Sequence, residues 1–225
     1  SLGAAPALKM ASSTQHTAFG AVASSADGHG LVVKGNVTGS GVYSGVSATG
    51  IDIGGSGHTV SLASGMTIAG TVRATAVQAN ASAVHIGSGA SVPTINVSGT
   101  INAQGGGTAT TGAQALLIDS GATVSTIKNS GTILAARAGD AGTAAANVDH
   151  AATVSLIENS GSIGVTNAAT LGDSGVAFDL RANGAGATVR QLAVTGTTAA
   201  PSIAGTMLFG SGNDVLDLAD GTVTG

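Results

Sequence analysis

The sequence has no cysteine and no tryptophan, with one tyrosine and three phenylalanines. Without cysteine, no disulfide staples the chain, which fits an extracellular protein that does without them. With so few aromatics, no thick globular core is expected. Charge is scarce too: 8% of residues are charged, against about 25% in ordinary domains. Seven basic residues face eleven acidic ones, a net charge of −4. No basic patch exists, which excludes nucleic acid as a partner. No apolar run approaches the roughly 20 residues of a membrane-spanning helix. No helical 3.6-residue pattern with caps is present either.

What remains is glycine and small aliphatics. There are 37 glycines, and 43% of residues are hydrophobic, mostly Ala, Val and Ile. Disorder needs low hydrophobicity and high net charge, so this chain is expected to fold. Its core must be thin and repetitive, filled by β-branched residues in register.

One stretch recurs. VSTIKNSGTILA at 124–135 matches VPTINVSGTINA at 92–103 and VSLIENSGSIGV at 154–165. Looser copies are TIAGTVRA at 67–74 and VRQLAVTGTTAA at 189–200. Gly70, Gly99, Gly131, Gly161 and Gly196 anchor the copies at spacings of 29, 32, 30 and 35 residues. A period in this range means stacked units. Upstream, Val84-His85-Ile86, Leu116-Leu117-Ile118 and Asn147-Val148 also align. One unit is therefore a short strand, a turn, a strand, a second turn at Ser-Gly, a third strand and a variable loop. Glycine at each corner fits a position that needs φ > 0.

Stacking predicts columns. Ile95, Ile127, Ile157 and Leu192 form one inward file, and Val97, Asn129, Asn159 and Val194 the next. Ile101, Ile133 and Ile163 form a third. Asn96, Lys128, Glu158 and Ala193 face out, with Lys128 meeting Glu158. A polar Asn129 stacked on Asn159 at an inward position requires an amide ladder. Gly99, Gly131 and Gly161 mark the corners.

The pattern predicts an all-β fold, a right-handed parallel β-helix of about six coils of roughly 30–35 residues each. Residues 1–18 form an N-terminal lead-in segment. Residues 19–225 form a single β-helix domain that is expected to continue beyond the C-terminus of this chain. The opening SLGAAPALKM, which starts at Ser1, is expected to follow a removed signal peptide or a cloning boundary. The variable loops fall at 104–112, 137–145 and 166–175. They carry only Arg137, Asp140 and Asp173 as charges, poor material for catalysis.

The NSGTI-type units, the composition and FGSGNDVLDLADGTVTG at 209–225 resemble the passenger regions of bacterial autotransporters. Filamentous haemagglutinin-like adhesins share the style, as do some surface-layer and fibre proteins. The likeness covers about residue 30 to the end. It implies secretion to the bacterial cell surface through an outer-membrane β-barrel in cis, and display as a β-helical stalk.

Candidate chemistry is weighed against this frame. Gly210-Ser211-Gly212-Asn213-Asp214 resembles one unit of the calcium-binding nonapeptide repeat. Calcium in such repeats sits between successive turns, so a lone unit reads as a turn. Gly172-Asp173-Ser174-Gly175 resembles a hydrolase nucleophile segment but lacks the strand-turn-helix context. Asp119 and Asp149 are read in one column beside His150, as paired carboxylates on a β-helix wall would be. No sugar platform accompanies them, and corner capping of backbone N–H groups is the preferred role. His16, His29, His58, His85 and His150 share no metal-binding spacing. The expectation is a non-enzymatic extracellular protein with no catalytic residue, no cofactor and no metal. It is a stalk or adhesin segment, or a subunit of a fibre or lattice that self-associates end to end or side by side. A carbohydrate-active enzyme ranks third.

Overall fold

The computed structural model describes residues 1–108, 111–138, 146–149, 153–167, 175–194 and 199–225. Every regular element among them is a strand. The first coil holds β1 (Leu8–Met10), β2 (Thr17–Phe19), β3 (Leu31–Val33) and β4 (Asn36–Gly41). The second holds β5 (Ala48–Ile53), β6 (Val60–Leu62), β7 (Met66–Ile68) and β8 (Thr71–Ala76). Then come β9 (Ala81–Ile86), β10 (Ala90–Ser91), β11 (Thr94–Val97) and β12 (Thr100–Gly106). The fourth coil has β13 (Ala113–Ile118), β14 (Thr126–Asn129) and β15 (Thr132–Ala138). The fifth has β16 (Ala146–Asp149), β17 (Leu156–Asn159) and β18 (Ser162–Asn167). The last two have β19 (Val176–Asp179), β20 (Thr188–Gln191) and β21 (Ser202–Ala204), then β22 (Thr206–Leu208), β23 (Val215–Leu218) and β24 (Thr222–Thr224).

Like strands of successive coils pair in parallel, so the chain is a β-solenoid. Three sheets are each seven strands deep. Sheet I runs from β1 to β22, sheet II from β3 to β23, and sheet III from β4 to β24. Among the described residues, a fourth, short sheet of β2, β6 and β10 lines the first three coils. One bridge, Ser91 to Thr123, carries it a step further. The 1–18 segment is part of this stack: β1 lies on β5 and β2 on β6.

Alternation sets the core. In sheet II, Met66, Ile95, Ile127, Ile157 and Val189 stack in register and are fully buried. Val72, Ile101, Ile133, Ile163 and Ile203 do the same in sheet III. Each such side chain contributes about 1.5–3 kcal/mol through burial. Sheets I and III approach too closely for large residues at one end of the cross-section. Buried alanines recur on both sheets: Ala74, Ala103 and Ala135 in sheet III and Ala48, Ala81 and Ala113 in sheet I. A Cβ on Gly39 would sit 2.1 Å from the Thr49 carbonyl oxygen. The alanine-rich composition follows from this narrow end.

Three expectations are corrected. The fourth copy was aligned three residues out of register. Ile157 pairs with Val189 rather than Leu192, Glu158 with Arg190 rather than Ala193, and Asn159 with Gln191 rather than Val194. The corner after β20 is longer than those before it, and the motif alignment placed that insertion too early. Gly196 lies outside the described residues. Second, Gly70, Gly99, Gly131 and Gly161 do not have φ in the left-handed region. They are needed for close approach: an added Cβ would lie 2.0–2.2 Å from the carbonyl oxygen of the glycine one coil before. The chain presses coil on coil here because each of these carbonyls accepts the N–H that opens the next sheet III strand. Thr132 N to Gly99 O is 2.9 Å and Ser162 N to Gly131 O is 2.9 Å. Third, Arg137 is not in a loop; it lies within β15 and is buried. Asp140 and Asp173 fall outside the described residues.

Candidate functional site

The backbone register does not set Asp149 opposite Asp119, as the sequence pattern suggests. Register places Asp149 opposite Leu117, and Val148 opposite Leu116. Asp119 lies beyond the end of β13, where its N–H donates to the Ile86 carbonyl at 2.9 Å. The turn between sheets I and II is shorter in the fifth coil than in the fourth, and a common DxxAT pattern hid that difference. His150 and Ser174 lie outside the described residues. Asp214 Oδ1 accepts the Ala187 N–H at 2.8 Å, tying one coil to the one before. Among the described residues no group of three or more His, Asp or Glu is arranged to hold a metal ion.

The structure instead assembles a charged file on the outer wall of sheet I. Lys9, Asp52 and His85 come from β1, β5 and β9, at registered positions. His85 Nδ1 lies 2.8 Å from Asp52 Oδ1, and His85 Nε2 lies 3.0 Å from Asp119 Oδ2. Lys9 Nζ stands 3.6 Å from Asp52 Oδ2. Asp52 is mostly covered, whereas Asp119 is open to solvent. The hydrogen bond to Asp52 holds His85 above its ordinary pKa, overcoming a burial penalty that pulls the other way. Burial alone would raise Asp52, but its bond to His85 and the charges of His85 and Lys9 together bring it below the usual carboxylate value. A signal for this existed: Asp52 and His85 are the middle residues of IDI and VHI. Asp119 gave none, since it reaches in from a turn.

A second constellation is internal. Asn129 Nδ2 donates to Asn159 Oδ1 at 2.8 Å, and Asn159 Nδ2 to Gln191 Oε1 at 3.3 Å. Gln191 Nε2 then donates to the Asp220 carbonyl at 2.8 Å. All three side chains are buried. Each asparagine also closes its own corner, with the Gly131 and Gly161 N–H groups bonding Asn129 Oδ1 and Asn159 Oδ1 at 3.2 Å. The remaining amide protons reach the Ser162 and Ser202 carbonyls. Gln191 escaped notice because the fourth copy was misaligned.

Outside the same sheet runs an alternating file of Lys128, Glu158, Arg190 and Asp217. Successive contacts are 3.4, 4.0 and 3.8 Å. Next to Lys128, the loop between β2 and β3 roofs a polar cleft of about 310 Å³ lined by Asp27, His29, Ser64, Thr94, Asn96 and Lys128. Asp27, His29, Asn96 and Lys128 already bond one another or their neighbours. Asn96 donates to Asp27 at 3.3 Å, and buried His29 meets Thr67 at 2.5 Å.

No protein-family model matches the chain, and no curated protein or solved structure matches it. The fold and these side-chain files are therefore the basis for a functional reading.

Proposed function

We propose that the chain is part of a non-enzymatic extracellular structural protein: a β-helical stalk or adhesin segment of an autotransporter-type passenger, displayed on a bacterial surface. The observation that carries this reading is the unbroken parallel ladder of three seven-stranded sheets. A rod whose backbone groups are paired coil to coil opens only by breaking many bonds together, and this resists proteolysis. Its buried amides satisfy one another rather than converging on a cavity. In this reading an outer-membrane β-barrel acts in cis as the export partner. The test is expression of the full-length gene in a Gram-negative host. A protease-resistant rod, labelled by antibody on intact cells, supports the reading. Recovery of the protein only from the cytoplasm overturns it.

A second reading, a subunit of a self-assembling fibre, is favoured by the turns after β4 and β8. Val42, Tyr43 and Val77 are exposed there, and exposed apolar side chains suit side-by-side packing against another rod. Negative-stain microscopy at high concentration decides between filaments and single rods.

A further inference from the structure

We propose that His85 is the pin of a proton-operated clasp that ties three successive coils together on the outer wall of sheet I. The argument starts from hydrogen-bond roles. An ionised carboxylate only accepts, and a neutral imidazole carries a single N–H. His85 has a carboxylate oxygen at hydrogen-bond distance from each ring nitrogen, 2.8 Å to Asp52 and 3.0 Å to Asp119. A neutral ring serves only one of them. The imidazolium, with two N–H groups, serves both. Closing the clasp therefore requires a proton on the ring, and losing that proton leaves one carboxylate facing a nitrogen lone pair.

The groups around the ring are few. β5 supplies Asp52, and the turn after β13 supplies Asp119. β1 supplies Lys9, whose contact is with Asp52. β13 itself sets Leu117 opposite His85, and the next coil sets Asp149 opposite Leu117. Two carboxylates thus act on the ring from either side, with one ammonium relieving Asp52.

The pH dependence follows by linkage. His85 has its folded pKa raised above 6.5. Its contribution is complete below about 6.5 and is lost as pH rises through the raised value. Asp52 has its folded pKa lowered from 3.8. Its contribution is present above that value and is lost as pH falls through the lowered one. The clasp is strongest between about pH 4 and 6.5 and opens on the alkaline side. The device acts on coils two to four only. The Asn129–Asn159–Gln191 ladder farther along has no group that titrates in this range.

The test is a histidine-resolved NMR titration of the intact chain, with the His85 ring assigned by backbone-to-side-chain correlation in the unmodified protein. The expected midpoint lies above 6.5 and falls in both Asp52→Asn and Asp119→Asn. Thermal melts at pH 6.0 and 8.5 provide the second readout. Between them the unmodified chain should lose about 2–4 °C more in Tm than His85→Gln. Amide exchange at β9 should quicken over the same interval in the unmodified chain. A His85 midpoint at or below 6.5 overturns the proposal, and so does an equal Tm loss in His85→Gln. The titration of the unmodified chain decides the matter if the variant folds poorly.

Discussion

The same inward file of sheet II is built in two chemistries. In the first three coils it reads Val33, Ile68 and Val97. In the next three it reads Asn129, Asn159 and Gln191. The aliphatic half gains stability from burial without direction, so any side chain of similar volume serves. The amide half gains almost nothing from burial itself. It is stable because its donors and acceptors find partners in their own corner or one coil away. The difference teaches that a solenoid interior can be polar where the polarity repeats at the coil period. The amide half also shares its sheet with the external Lys-Glu-Arg-Asp file. The aliphatic half carries the short fourth sheet and the His85 clasp.

The comparison can be broken most sharply at the corners that both halves share. Gly131→Ala should cost more than about 4 kcal/mol, because its Cβ would lie 2.0 Å from the Gly99 oxygen. Gly164→Ala is the control: its Cβ would meet only Leu134 Cδ1, at 3.7 Å. Chemical denaturation should place that variant within about 0.5 kcal/mol of the parent.

Asn159→Asp is expected to cost about 3–5 kcal/mol. The new oxygen would face the Gln191 oxygen and the Ser202 carbonyl in a buried site. A loss near zero in urea melts would show that the amides do not act as a ladder. Ile127→Ala tests the aliphatic logic one coil earlier, on β14 two residues before Asn129, with an expected loss of about 3 kcal/mol from burial and cavity terms. The smallest effect belongs outside. Lys128→Ala should cost no more than about 1 kcal/mol, and 1 M salt should erase most of that difference.

The sequence made the repeat legible because Ile, Asn and Gly positions recur with little insertion between 92 and 165. The three-strand coil, the inward Ile95, Ile127 and Ile157 file and the Lys128 contact with Glu158 all follow from that alignment. Legibility failed where a turn changed length. The longer corner after β20 hid Gln191 and Arg190. The shorter turn after β16 created a false pairing of Asp119 with Asp149. It failed again for the corner glycines, since a sequence reports that glycine is needed and not whether conformation or crowding requires it.

By itself, then, the sequence determined the kind of fold: a small-residue, aromatic-poor repeat with period-2 alternation can bury its apolar face only against copies of itself. The tertiary structure alone decided the neighbours. Which residue of one coil sits above which residue of the last depends on the lengths of the turns between them. A side chain such as Asp119, reaching in from a turn, obeys no repeat at all. Register across coils is a sum over every intervening turn, so one or two residues decide whether two charges meet or stand a coil apart.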